Sequence, residues 1–419
     1  MTEAEHSRDA PGDETAELSF LRSPSAIRQR CEAIYARCLR GGSEHWSVDE
    51  RRIGEVAERV VRISRDAHPD VRRIPYHSRW RHFAAGGGDR VRQLDARLDE
   101  ATRDERLAAR VDLTITSVLL DAGAGPAWKY RDRDGGTYTR SEGLAVASYD
   151  LFVSGALSAV PGRAPLRADG EVLRTIDRHT LESRFQVSDE NPLVGVDGRA
   201  TVLRRLGERV SGTPSYFAHP EQPAAPPRVG NLALHLARGA SGGELTATAI
   251  FRAVLDALAP IWPGRETLAG ENLGDVWTHP AIGRVPLHKL SQWLTYSLFE
   301  PLEWWGLRVV GVEALTGHAE YRNGGLFVDG EVLVPKHVGV LRDQHEVASD
   351  IVVEWRALTV SLLDRTAERM RALLGLSPEE LPLARVLEGG TWNAGRAIAA
   401  EKRVGGVPPI RLRSDGTVF

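Results

Sequence analysis

The chain has 419 residues, 42% of them hydrophobic and 26% charged, with a formal net charge of −3 and a pI near 6.5. That supplies apolar material for a large core, but not the broad basic surface that binding a phosphate backbone needs, so nucleic acid is not an expected partner. No stretch is long and apolar enough to span a bilayer, which removes a membrane partner from the expectation as well.

Residues 1–20 are mostly polar and acidic, and their composition predicts disorder. No clear linker divides the remainder, so residues 21–419 are read as one helical domain. Cys31 and Cys38 fall on one helical segment, roughly 10 Å apart along its axis, too far for a disulfide; they read as reduced thiols of a cytosolic protein. Ser47-Val48-Asp49-Glu50 has the form of a capping box ahead of Ile53, Val56, Val60 and Ile63 at helical spacing. PYHSRWRHF, residues 75–83, packs histidines, arginines and aromatics into one segment; as a helix opened by Pro75 it would put His77 and Arg81 on one face. Lys129-Tyr130 and Thr137-Tyr138 flank Asp134-Gly135-Gly136 as a short β-hairpin, and residues 326–334 around Asp329-Gly330 suggest a second. The proline-rich stretch 220–227 reads as a surface loop. Residues 350–373, with Ile351, Val352, Trp355, Leu358 and Leu362, form a helix with so wide an apolar surface that it belongs near the centre of the protein, and Glu354 lies within it.

The segment 285–300, VPLHKLSQWLTYSLFE, carries a packing stripe of Leu287, Leu290, Leu294 and Leu298, with Pro286 placed to set the first turn. Lys289, Gln292 and Tyr296 follow the same step out of phase, so a cation, an amide and a phenol would line up beside the buried face and wall a ligand pocket. The structural alternative is a solvated outer face. Asp275, in DVWTHP ahead of this helix, and Glu320, in EYRNGG after it, each place a carboxylate in an expected loop beside an aromatic residue. Two carboxylates in different environments are what hydrolysis of an N- or O-glycosidic bond requires, one to activate water and one to protonate the leaving group or stabilise a cationic sugar. Glu354 is alternatively a paired structural acid. The thirteen histidines include no metal-binding HxxxH with a carboxylate in register, and there is no Walker A loop or Rossmann glycine signature, so no metal and no cofactor are expected.

IPYHSRWRHF (74–83), EGLAVASYDLFVSGAL (142–157), NPLVGVDGRATVLRRLG (191–207), DVWTHP (275–280), VPLHKLSQWLTYSLFEPL (285–302) and EYRNGGLFVDG (320–330) together resemble the URC-type uracil-catabolism proteins, a family with a domain of unknown function. The resemblance covers about residues 20–419 and implies a role in breaking down a uracil-derived ribosyl compound such as ribosylurea, possible also as its 5′-phosphate, to urea and ribose. In pattern and spacing the chain is more distantly similar to the queuosine-salvage N-glycosidases, which have a helical DNA-glycosylase-like fold. Residues 111–128 match an apolar helix leading to a Trp-Lys pair, 138–157 a tyrosine followed by a helix, and Arg284-Val285-Pro286 the Arg-Leu-Pro that opens the catalytic helix. Those enzymes carry an aspartate two positions before that triplet, where this chain has Ile282, so Asp275 or another carboxylate would take its role.

The resemblance therefore implies a mainly α fold, a helical glycosylase-like bundle with two short hairpins, and a cytoplasmic N-glycosidase taking a small ribosyl substrate. Asp275 and Glu320 are its expected catalytic pair. His77, Arg81, Asp150, His279, His288, Lys289, Gln292, Tyr296, Arg322, Asn323 and Glu354 are the expected substrate contacts. A non-catalytic scaffold or regulatory subunit of the same pathway, and an amidohydrolase of a ureido compound, are the alternatives; the oligomeric state is left open.

Overall fold

In a computed structural model, residues 11–160 and 166–413 are described. The fold is mainly α. The Asp350–Leu374 helix runs through the middle, as its wide apolar surface requires, and packs on the Pro24–Leu39 and Ile53–Ala67 helices. The Lys289–Trp305 helix packs on Arg103–Leu119 and Ala247–Leu258, and Tyr321–Asp329 lies along Trp392–Lys402. One apolar cluster reaches from Ile27 to Ile410. Gly395 explains how close the last pair comes: a Cβ there would sit 2.2 Å from the Arg322 carbonyl oxygen. Cys31 and Cys38 are both buried and unbridged.

Strands are short and occur in pairs. The Lys129–Arg131 and Thr137–Thr139 hairpin is present as expected. A second hairpin joins Val276–His279 to Gly283–Pro286, and a third joins Thr267–Leu268 to Glu271–Asn272. Other pairs are long-range, among them Gln344–Glu346 beside Arg411–Arg413, which ties the end of the described chain to the body.

Several local expectations are corrected by tertiary contacts. Pro11–Leu21 is helical rather than disordered, with Leu18 and Leu21 packed on Leu268, Leu273 and Val276; residues 1–10 lie outside the described residues. Ser47 does not open a helix: Trp46–Val48 pairs with Leu333–Pro335, and Asp49 caps the turn that leads into Ile53–Ala67. The hairpin expected at 326–334 is absent, because Tyr321–Asp329 is helical and Leu333–Pro335 finds its partner almost 300 residues away. Pro75 opens no helix: the His77 amide donates to the Ala384 carbonyl oxygen at 2.7 Å, which holds residues 75–78 outside the helix, and the turns begin at Arg79. Pro286 likewise ends a strand. His288 follows with φ of 44°, a left-handed conformation, and the helix starts at Lys289.

Candidate functional site

The Lys289–Trp305 helix and the Glu320 end of Tyr321–Asp329 face a cavity of about 590 Å³. Residues 121–126, after the Arg103–Leu119 helix, form another wall, and residues 407–412 cover it. The wall is mostly apolar with a few convergent polar groups, the usual make-up of a small-molecule site.

Glu320 caps its helix, its two oxygens accepting from the amides of Arg322 and Asn323. Burial raises this carboxyl above its ordinary range, against the opposing pull of those amides and of the Lys289 charge. Lys289 sits at the first turn of its own helix. Burial lowers its ammonium below the usual lysine range, and no hydrogen bond or ion pair engages Nζ among the described residues, although it lies 5.8 Å from the centre of the Trp293 ring. Asp121 is ion-paired at 2.9 Å to the fully buried Arg79.

Three histidines gather on one side. His77 Nδ1 is 2.7 Å from Glu388 Oε2; burial pushes the Glu388 carboxyl up, but the His77 hydrogen bond and charge outweigh it and hold the carboxyl below its usual range. The His77 ring stacks on Trp293 at 6.2 Å and lies 5.5 Å from His318. Burial, then the charges of Arg79 and His77, hold His82 down at about 3, and burial keeps His318 far below the normal histidine range, so both rings are neutral at pH 7. His82 Nδ1, His318 Nε2 and Trp293 Nε1 are buried without a hydrogen-bond partner among the described residues. Because such groups are normally satisfied, three of them around one cavity mark places where a bound molecule would donate or accept.

The cavity brings together His77, Lys289, Glu320 and Arg322 from the sequence expectation. The other expected site residues do not line it. Asp275 receives both terminal nitrogens of Arg356 at 2.8 Å, the Trp277 indole N–H at 2.6 Å and the Lys289 amide at 2.9 Å, so it anchors the helix start instead of facing the cavity. Gln292 donates to Thr316 Oγ1 and Tyr296 to the Thr316 carbonyl oxygen, both wholly buried: the 292/296 stripe faces a packed loop, and the cavity face of the helix is 289/293. Glu354 is the paired structural acid, between Ser43 Oγ at 2.6 Å and His279 Nε2 at 3.2 Å. His288 contacts the Leu21 carbonyl oxygen, Arg81 pairs with Glu300, Asp150 accepts from the Tyr130 hydroxyl, and Asn323 reaches the His318 carbonyl oxygen.

Sequence reading missed Asp121, His82, His318, Trp293, Trp392 and Glu388. Asp121 had a signal, as the acid that ends the apolar run LTITSVLL, residues 113–120, and precedes AGAGP. Glu388 and His318 had none, since only the fold brings them beside His77.

The family model described as "Protein of unknown function (DUF1688)" matches residues 20–419. The chain is 39% identical over 416 residues to "Protein urg3" of Schizosaccharomyces pombe, an alignment covering 97% of this chain and 100% of that protein. It is 35% identical over 439 residues to "Uracil catabolism protein 4" of Lachancea kluyveri, covering 96% and 99% respectively. Matched from residue 20 to its end and aligned over nearly the full length of both relatives, this chain belongs to the DUF1688 family, in keeping with the uracil-catabolism resemblance of its segments.

Proposed function

We propose that this protein acts in uracil catabolism as a hydrolase of an N-ribosyl bond, with ribosylurea or a close ribosyl derivative as substrate. The pathway rests on the relative named "Uracil catabolism protein 4", and the reaction class on the patterned similarity to queuosine-salvage N-glycosidases. The single observation that carries the reading is the cavity itself: two carboxylates, Glu320 and Asp121, share it with a buried ammonium that has no bonded partner among the described residues. Asp121 thus takes the place expected of Asp275.

Departure of urea from C1′ leaves positive charge on the sugar, which a nearby carboxylate stabilises. Asp121, fixed by Arg79, supplies that charge. Glu320, whose carboxyl titrates above its ordinary range, accepts a proton from the attacking water as the new C1′–O bond forms. The breaking C1′–N bond leaves its electron pair on the urea nitrogen, which takes a proton from Lys289, made a readier donor by burial. The unpartnered His82, His318 and Trp293 nitrogens hold hydroxyls or the ureido group.

The test is incubation of the purified protein with synthetic ribosylurea and with its 5′-phosphate, without added nucleotide or metal, measuring urea, ammonia and reducing sugar. Equal release of urea and reducing sugar is expected. Ammonia without reducing sugar would assign ureido amide hydrolysis instead, and no product with either sugar form would leave the scaffold alternative.

A further inference from the structure

The cavity holds more positive charge than its own carboxylates match. Lys289, Arg140, Arg322 and Arg411 line it, and the opposing acids are Asp121 and Glu320. Asp121 is shared with Arg79, so the two acids fall short of the four lining cations. None of the four forms an ion pair among the described residues. Arg140 donates only to the Gly405 carbonyl oxygen at 3.0 Å and Arg322 only to that of Gly406 at 2.8 Å, while Arg411 has no side-chain bond there. Arg322 is 5% exposed, and its Nε is buried without a partner among the described residues.

Among the buried arginines Arg322 stands apart. The buried guanidiniums of Arg79, Arg228 and Arg356 each meet a carboxylate, and Arg199, which does not, is saturated by carbonyl oxygens of Leu120, Ala122 and Val194. An uncompensated charge is expensive to bury, and a guanidinium cannot escape by losing its proton. Arg140 is also held at φ of 54°, a strained conformation for a residue with a side chain, in the position that sends its guanidinium toward the cavity rim.

We propose that the cavity contains a subsite for a phosphomonoester, formed by Arg140, Arg322 and Arg411 around residues 405–411, so that the substrate enters as a sugar phosphate, while Lys289, 5.8 Å from the centre of the Trp293 ring, stays with the leaving group. The inference rests on the ribosyl-substrate reading above. A phosphomonoester dianion matches the excess better than a single carboxylate does, and arginine forks suit its oxygens. The neutral imidazoles and indoles of the histidine wall are left for the uncharged part of the ligand. The arrangement divides the cavity into an anion end and a neutral polar end.

The experiment is calorimetric titration of the full chain with ribose 5-phosphate, ribose and inorganic phosphate. Ribose 5-phosphate should bind at least tenfold more tightly than ribose, and the advantage should shrink as salt is raised. Arg140→Gln and Arg411→Gln should each reduce ribose 5-phosphate affinity by about tenfold and leave ribose binding unchanged. The exposed Arg411, without a side-chain bond among the described residues, keeps the test independent of folding. Equal binding of ribose and ribose 5-phosphate, or a preference that survives both substitutions, overturns the proposal. A preference for the phosphate without any urea release would refute the hydrolase and leave the subsite standing. Urea release from ribosylurea without that preference would do the reverse.

Discussion

Asp275→Asn separates a structural from a catalytic role most sharply. In the parent, both carboxylate oxygens receive Arg356, whose side chain is 1% exposed, while Asp275 is 16% exposed. The substitution keeps the shape but takes away the charge and turns an amide N–H toward the guanidinium. Breaking a buried pair from one side costs about 3–5 kcal/mol, and partial exposure of Asp275 puts the expectation near the lower end, about 3 kcal/mol. With an unfolding entropy of about 2 cal/mol/K per residue, a chain of 419 residues loses about 4 °C of Tm for that change. Burial opposes ionisation of Asp275, but the Arg356 charge, with hydrogen bonds from Arg356, Trp277 and the Lys289 amide, outweighs it and holds the carboxyl well below its usual range. For such a depressed group the stabilisation is fully present above the unfolded-state value near 3.9 and is lost as pH falls through the native value. The gap between parent and variant should therefore be constant from about pH 5 to 8 and close in stronger acid. Urea titration monitored by circular dichroism across that range measures it. A variant that unfolds at the parental midpoint, yet has lost turnover by a hundredfold, would refute the anchoring role and return Asp275 to the chemistry.

Glu320→Gln should lower turnover and catalytic efficiency together by about a hundredfold or more, as loss of a general base does. With the Glu320 carboxyl raised by burial, the acid limb of the parental rate profile should lie above the ordinary glutamate range, and stopped assays from pH 4 to 9 would show it. Tyr296→Phe removes one buried hydrogen bond to the Thr316 carbonyl oxygen and should cost about 1 kcal/mol in denaturant titration while leaving the Michaelis constant unchanged; a raised constant would bring the 296 position back into the site. Burial pushes the Cys38 thiol up to about 11 and the Cys31 thiol higher, so neither should react with an alkylating reagent at pH 8 until the protein is unfolded, as mass spectrometry would record.

Where local chemistry decides conformation, the sequence alone determined the outcome. The periodicity of residues 350–373 places that helix at the centre, and Asp134-Gly135-Gly136 makes its hairpin, because both depend on side chains a few positions apart. The segments around 74–83, 275–302 and 320–330 also identify the family and contain His77, His82, Lys289, Glu320 and Arg322 of the cavity lining. Helical spacing says which residues share a face; it does not say what that face meets. Gln292 and Tyr296 lie on a polar stripe in the sequence, yet Thr316 covers them, and Trp293, which belongs to neither expected stripe, reaches the cavity. The prolines were misleading for the same reason: an amide bonded to Ala384 and a strand bonded to Val276 overrode their preference for a helix start. Only the tertiary structure decided that Asp275 is saturated by Arg356 and Asp121 faces the cavity, because a carboxylate's role depends on the charge packed against it, here one carried by a helix 81 residues further along the chain.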